Sequence, residues 1–544
     1  RCMNTNRIIW MKVGKEEIGY DLEKDVEAWK IIRGEEANEN VDCMNSYRKR
    51  EVEQDREGVC FLKVNSQRGV TFEDVKVTSS GMKDEDDMIS QAKRIELEKW
   101  EKYEAYEIVE DQGQERVTSR WVITDKSDDK GGIKKKARLV VRGFQEISDN
   151  PTDSPTVSKD ALKVFLSVAA NEGWKIIAQD VTNAFLQGQE IDREVFVVPP
   201  EDVREEGKLW KLRKTAYGLG DASRSWYFTV KKSLENLGST KTRRDNAMFV
   251  WHDNEKLIGV CVIHVDDFIL AGSNEFHENV SNKLRQRFDI GKVTEKKFQY
   301  VGLSITQNEN EIIVDQNSYI DAIEPATIDR MRRDDDDLTR EELRLYRGLV
   351  GKLSWAQLMS RPDVSFDTLE LSMNCKTPKV RDLRRANKVV RKIKSDRYAI
   401  KLPRLGNMSE LQFVIYTDAS YTNLDQKSKS SEGRVVFLKN RKGEVHPMLW
   451  KSRKISRTAI SVKGAETIAL VDGLEDVVYL GELYSEIYRT EKKIPITAYV
   501  DNRSLIDSIA SVKLVEEKGL RVYIARIQED LEMEKVERIE WIPS

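Results

Sequence analysis

Two adjacent carboxylates, Asp266 and Asp267, stand between the apolar runs Val260-Cys261-Val262-Ile263-His264-Val265 and Phe268-Ile269-Leu270-Ala271-Gly272. The β-branched and aromatic residues on either side read as strand, tight turn, strand, with the acidic pair displayed at the turn. Two like charges held close on buried strands need a cation to offset their repulsion, and a hard divalent ion with oxygen ligands does so. Most adjacent Asp pairs are solvated turn residues. The assignment therefore rests on what accompanies the pair. A third carboxylate, Asp180, closes the strand-like stretch Trp174 to Gln179 and opens Asp180-Val181-Thr182-Asn183-Ala184-Phe185-Leu186-Gln187-Gly188. Read alone, it serves equally as a helix N-cap.

The elements that must position these groups can be followed along the chain of 544 residues, a length that suggests three or four domains. Residues 1–94 are rich in Glu, Lys, Asn and Asp without a sustained period, and are expected to be linker, partly disordered. Met88, Ala92, Ile95 and Trp100 space a helix that leads into a strand over Arg116 to Thr124. After Gly131-Gly132 comes Lys134 to Gly143, a strand with Lys136, Arg138 and Arg142 on one face and Ala137, Leu139 and Val141 on the other. Such a cationic face suits a polyphosphate and equally suits plain solvation. Ser158 can cap a helix striped by Leu162, Phe165, Leu166 and Ala169 and closed near Gly173. Another helix carries Trp226, Val230, Leu234 and Leu237 inward and stops at Gly238.

Composition excludes several classes. The five cysteines, Cys2, Cys43, Cys60, Cys261 and Cys375, are odd in number and contain no C-x-x-C pair, so neither a disulfide framework nor a zinc site is expected. No apolar run reaches the roughly 18 residues of a membrane span. A net charge of −3 argues mildly against a nucleic-acid binder, but it averages over local stripes. One such stripe crowds Arg381, Arg384, Arg385, Lys388, Arg391, Lys392 and Lys394 together. The run Asp334 to Asp337 is read as a solvated loop before a helix, because Thr339-Arg340-Glu341-Glu342 is a capping-box pattern.

The ordered blocks KARLVVRGF, QDVTNAFLQG, KTAYGLGDASRSWY and HVDDFILAG resemble the reverse transcriptase of copia-type LTR retrotransposons. Phe298 to Leu303, Tyr346 to Leu353 and Ser360-Arg361-Pro362-Asp363 resemble later blocks of the same family, and the resemblance runs over roughly residues 90–544. Two positions depart from it. His264 stands where the family has Tyr before the Asp pair, and Gly220-Asp221-Ala222-Ser223 stands where it has Lys-Gln-Ala-Pro. The resemblance implies an α+β right-hand polymerase, with fingers and palm over 95–320, thumb and connection over 321–408, and an RNase H-like α/β domain over 409–544. Asp180, Asp266 and Asp267 would hold Mg²⁺, with Mn²⁺ as a substitute, for two-metal phosphoryl transfer. Lys136 and Arg138 would meet the nucleotide phosphates, and Phe185 would act as the steric gate against a ribose 2′-OH. A duplex leaving the site would meet Arg384, Arg385, Lys388, Arg391 and Lys392 through its phosphates.

In the last stretch, alternation through Leu411, Phe413 and Ile415 leads to Tyr416-Thr417-Asp418-Ala419-Ser420. Two more strands, a helix through Glu466, a strand ending at Asp501-Asn502 and further helix follow, which is the order of an RNase H fold. The resemblance gives Asp418, Glu466 and Asp501 to a second metal site, and the family's fourth acidic position is absent from this sequence. The chain begins at Arg1 and ends just after an apparent strand, so it reads as a piece of a longer polyprotein, truncated within that domain. The implied partners are RNA template, DNA or tRNA primer, dNTPs and RNA/DNA hybrid, with protease and integrase modules upstream. The implied location is the cytoplasm, in a virus-like particle, or the nucleus. The alternative is a decayed or domesticated copy that binds nucleic acid without catalysis.

Overall fold

The computed structural model describes residues 80–127, 133–147, 149–424, 429–513 and 517–543, together with four short strands, Ile8–Val13, Glu16–Asp21, Lys63–Asn65 and Gly69–Thr71. The linker expected over residues 1–94 lies largely outside the described residues. Its last part is an exception: the first helix begins at Ser80, earlier than the apolar spacing indicates, and runs to Lys102. The chain divides into two units, residues 1–146 with 195–211, and residues 147–194 with 212–544.

The first unit is a five-stranded sheet in the order Tyr106–Glu110, Lys208–Leu212, Phe196–Val198, Arg116–Ser127, Ile133–Val141. Its helix is anchored by Trp100, fully buried and 5.9 Å from the ring of Trp210, which in turn stacks on Tyr106 at 4.0 Å. Ile133–Val141 pairs with Arg116–Ser127 so that Ala137, Leu139 and Val141 are buried, as the alternation requires.

The second unit contains the predicted helix Lys159–Glu172, with Ser158 Oγ accepting from Ala161 N–H and Gly173 in the left-handed region at φ 66°. This helix lies against a six-stranded sheet ordered Thr240–Lys241, Met248–Asp253, Lys256–His264, Asp267–Gly272, Lys175–Val181, Ile290–Glu295. Beyond it, the hairpin strands Lys297–Tyr300, Leu303–Gln307 and Glu311–Asp315 take a fourth strand, Ile400–Pro403. Between these last two strands, helices Arg340–Met359, Ser365–Met373 and Val380–Ser395 pack around Tyr346, Leu353, Leu383 and Val390. The capping box at Thr339 and Glu342 is formed.

The Ser360-Arg361-Pro362-Asp363 block is a staple for this bundle. Arg361 is fully buried, donates to both carboxylate oxygens of Asp363 at 2.8 Å, and closes the end of helix Val380–Ser395 through the carbonyls of Ile393 and Asp396 at 2.9 and 2.8 Å. A planar guanidinium alone can make this set of contacts at once.

The final sheet runs Val445–Lys454, Lys429–Lys439, Gln412–Leu424, Ile496–Val500, Arg538–Trp541; the first three strands are antiparallel and the last two lie parallel to the centre. Helix Val462–Tyr488 covers one face. It sits so close that a Cβ on Gly473 would meet Thr417 Cγ2 at 2.7 Å and Ile415 Cδ1 at 2.9 Å. The fold is α+β, mixed sheets with helices packed on their faces. Among the described residues no helix is long and apolar enough to cross a membrane.

Candidate functional site

Strands Lys256–His264 and Asp267–Gly272 form the expected hairpin, with Val265 and Asp266 as its two-residue turn. Val265 sits at φ 58°, a left-handed conformation that a β-branched side chain rarely adopts. The strain is held by two backbone anchors. The Trp226 indole donates to Val265 O at 2.7 Å, and Val181 N–H donates to Asp266 O at 2.9 Å. Both anchors come from elements flanking the turn, so the acidic pair is fixed by the core beneath it.

Antiparallel register sets Asp180 opposite Asp267 on the neighbouring strand. Burial, then the charges of Asp266 and Asp180, push the Asp267 carboxyl up to about 6. Burial is the larger cause, and the neighbouring carboxylates add to it. On its other side Asp180 faces Lys292, and the bulge between Ile290 and Lys292 sets Gly291 against the same carboxylate. A Cβ there would meet Thr182 Cγ2 at 2.5 Å and come to 3.8 Å from Asp180 Oδ2. Sequence reasoning missed Gly291 and Lys292. The available signal was an isolated glycine inside a strand pattern.

Phe185 lies in the single helical turn Ala184–Gln187, entered through Asn183 at φ 48°. Its ring is half-buried and meets Tyr217 edge-on at 4.9 Å. It is therefore neither wholly core nor free. The Gly220-Asp221-Ala222-Ser223 departure has a local explanation, because Asp221 makes a two-pronged ion pair with Arg193 at 2.6 and 3.0 Å. Half-buried His264 has an unpaired Nδ1, and burial outweighs Asp266 in pulling its pKa down.

The second acidic group is tighter. Ligand oxygens of Asp418, Glu466 and Asp501 all lie within 4.8 Å of one another, the one such cluster among the described residues. Asp418 comes from the central strand, Glu466 from the first turns of helix Val462–Tyr488, and Asp501 from just past Ile496–Val500. One Glu466 oxygen accepts from Ala419 N–H at 3.0 Å, while buried Oε2 has no partner. Burial, aided by Asp418 and Asp501 and opposed by the Ala419 bond, pushes this carboxyl up to about 8. Asp418 is also raised, by burial and by Asp501. An orphaned buried oxygen facing two further carboxylates fits a hard divalent cation.

Lys136 and Arg138 sit on the face of Ile133–Val141 opposite its buried residues, and burial, then Arg138, lowers the Lys136 pKa. The basic stripe on helix Val380–Ser395 is less available than its composition suggests. Arg381 pairs with Asp335, Arg384 with Asp334, Arg385 with Asp367 and Glu370, and Lys392 lies 3.9 Å from Asp363. The four-Asp run, expected to be solvated, is thus in part the counter-charge of the stripe. Lys388 and Arg391 remain exposed, with no acidic partner among the described residues.

Residues 103–328 match the family described as reverse transcriptase (RNA-dependent DNA polymerase). The chain is similar to the Retrovirus-related Pol polyprotein from transposon RE1 of Arabidopsis thaliana, 26% identical over 71% of this chain and 27% of that protein. The corresponding protein from transposon TNT 1-94 of Nicotiana tabacum is 24% identical over 78% of this chain and 33% of its own length. The chain thus spans about a third or less of these relatives. A foamy viral protease-reverse transcriptase solved in complex with double-stranded DNA aligns over 80% of this chain and 66% of its own, at 13% identity and a TM-score of 0.49. Asp180 and the Asp266–Asp267 hairpin thus lie inside residues 103–328, the stretch that matches the reverse transcriptase family, and the chain is similar to transposon Pol polyproteins.

Proposed function

We propose that this chain copies RNA and DNA templates into DNA, and that its C-terminal domain hydrolyses the RNA strand of the resulting hybrid. The observation that carries the reading is the register of Asp180 against Asp267 beside Asp266, with the raised Asp267 carboxyl that follows. Divalent cations, Mg²⁺ or Mn²⁺, would activate the attacking oxygen and stabilise the leaving group when bound. Asp180, Asp266 and Asp267 would hold them in the polymerase site, and Asp418, Glu466 and Asp501 in the hydrolytic one.

The remaining roles belong to side chains that bind and orient. Phe185, braced by Tyr217, would exclude a 2′-OH by occupying its space. Lys136 and Arg138 would hold the triphosphate of an incoming dNTP. Lys388 and Arg391 would contact duplex phosphates, with Arg384 acting mainly to hold their helix to the Asp334 loop, and Arg385 and Lys392 to hold it to helix Ser365–Met373 and the turn before it. Primers of DNA or tRNA, neighbouring protease and integrase modules, and residence in a virus-like particle belong to the same proposal, on the resemblance of the sequence blocks.

Primer extension tests it directly. Asp266→Asn should abolish extension while template–primer binding survives, since binding depends on cations elsewhere. Extension above roughly a hundredth of the parent rate would refute the metal assignment, because one catalytic contact commonly supplies that factor.

A further inference from the structure

A cavity of about 810 Å³ opens where the edge strand Thr240–Lys241 and the loop after it meet the C-terminal end of helix Val462–Tyr488. It is lined by six cations, Lys241, Arg243, Arg244, Arg489, Lys493 and Lys535, against three carboxylates. The carboxylates offset half of this charge and leave the lining with a positive excess. Glu482 takes Arg244, and Glu486 is occupied by backbone N–H groups of Arg243 and Arg244. Glu491 is the third. Lys535 is matched by Asp530 at 3.2 Å, outside the lining. Among the described residues three cations, meanwhile, have only neutral partners: Lys241 donates to Asn246, Arg489 to Thr240 Oγ1 at 3.2 Å, and Lys493 to the Met533 carbonyl at 3.4 Å.

Arg489 adds a second, independent observation. It occupies the helix C-cap at φ 49°, a left-handed position where glycine is the usual residue. An arginine there sacrifices backbone ease, and its guanidinium is delivered to the cavity wall. No aromatic ring lines the cavity, so stacking on bases is not available. What it offers is a cluster of forked and point cations suited to phosphate oxygens.

From this juxtaposition we infer that the cavity is a docking site for the phosphate backbone of an RNA segment lying outside both catalytic sites. Glu486 is twenty residues along one helix from Glu466, about 30 Å at 1.5 Å per residue. The cavity therefore lies well away from the Asp418, Glu466 and Asp501 group, on a different stretch of any RNA held there. The inference rests on the proposed handling of nucleic acid, and its readout is separate from catalysis.

The test uses the full chain, a fluorescent structured RNA of roughly 60 nucleotides, and the dependence of affinity on salt. The triple variant Arg243→Gln, Arg489→Gly, Lys493→Gln should flatten the slope of log K against log salt by about two, the counterions released by three phosphate contacts. Its melting temperature should be kept, since glycine suits φ 49°, and so should extension of a short primer–template that cannot reach the cavity. A control that removes three exposed cations elsewhere, Lys232, Lys439 and Lys518, should leave the slope near the parent value. An unchanged slope in the triple variant, or an equal change in the control, would overturn the inference. A parent chain that fails to extend primers would overturn the proposed function instead, and the slope would still decide the cavity.

Discussion

Glu466→Gln should stabilise the metal-free protein, and do so increasingly as pH rises. The Glu466 carboxyl moves from an ordinary 4.5 to about 8 on folding, so between those values the native state holds a proton that the unfolded state has released. Stability therefore falls as pH climbs through this window. At 1.36 kcal/mol per pH unit, the full penalty above pH 8 is roughly 5 kcal/mol, and near neutrality it is about 3 kcal/mol. Glutamine keeps an oxygen for the Ala419 N–H and carries no charge, so it removes the penalty without opening a cavity. Thermal melts in EDTA should show little difference at pH 5 and a gap of several degrees at pH 8. Adding Mg²⁺ or Mn²⁺ should narrow that gap by raising the parent more than the variant, which keeps Asp418 and Asp501 but lacks the third charged ligand. A gap of equal size at pH 5 and pH 9, or a metal effect equal in both proteins, would refute the reasoning.

Phe185→Val should raise ribonucleotide incorporation relative to dNTPs, and an unchanged selectivity ratio would leave Phe185 as a packing residue on Tyr217. Arg361→Leu should lower stability by about 3 kcal/mol in urea unfolding, because two carbonyls and Asp363 lose their partner. Arg361→Lys should rescue little of that loss, since an ammonium lacks the fork. Lys388→Gln with Arg391→Gln should flatten the salt dependence of duplex binding by about 1.8, whereas Arg384→Gln, already paired with Asp334, should leave it nearly unchanged.

Much of the site was legible because strand alternation and turn chemistry are local. The apolar runs around Asp266–Asp267 specify a hairpin whatever follows, and the Ser158 and Thr339 caps announce their helices. Pairing partners are another matter. Nothing near Asp334 says that it will meet Arg384 fifty residues on, so a solvated loop and a basic stripe looked like separate features when they are largely one. The Ser80 start of the first helix was hidden for a different reason. Its opening turns carry Lys83, Asp84, Glu85 and Asp86, which show no apolar period even where the backbone is helical. Gly291 could be named from the sequence but not given a purpose. Only the bulge it permits brings Thr182 and Asp180 against it.

The packing between the six-stranded sheet and the final five-stranded sheet was equally invisible, and it bears on how the two sites would work together. Ser167, on helix Lys159–Glu172, accepts from Tyr484 and meets His446 Nδ1 at 2.6 Å, while His446 Nε2 reaches the Pro403 carbonyl. Tyr488 donates to Glu172 at 2.8 Å, and His252 Nε2 reaches the Ile487 carbonyl at 2.8 Å. Burial pulls the His446 pKa down to about 4, so the Ser167, Tyr484 and His446 contacts stay neutral through the pH range where Asp267 and Glu466 titrate. These three side chains are fully buried inside one continuous apolar core, where salt screens little. Under the proposed function, the path of a hybrid from the Asp266–Asp267 hairpin to Glu466 is then set by core packing. A flexible tether would let that separation vary, and the strand Ile400–Pro403, paired to Glu311–Asp315 and holding His446 through Pro403, removes the slack such a tether would need.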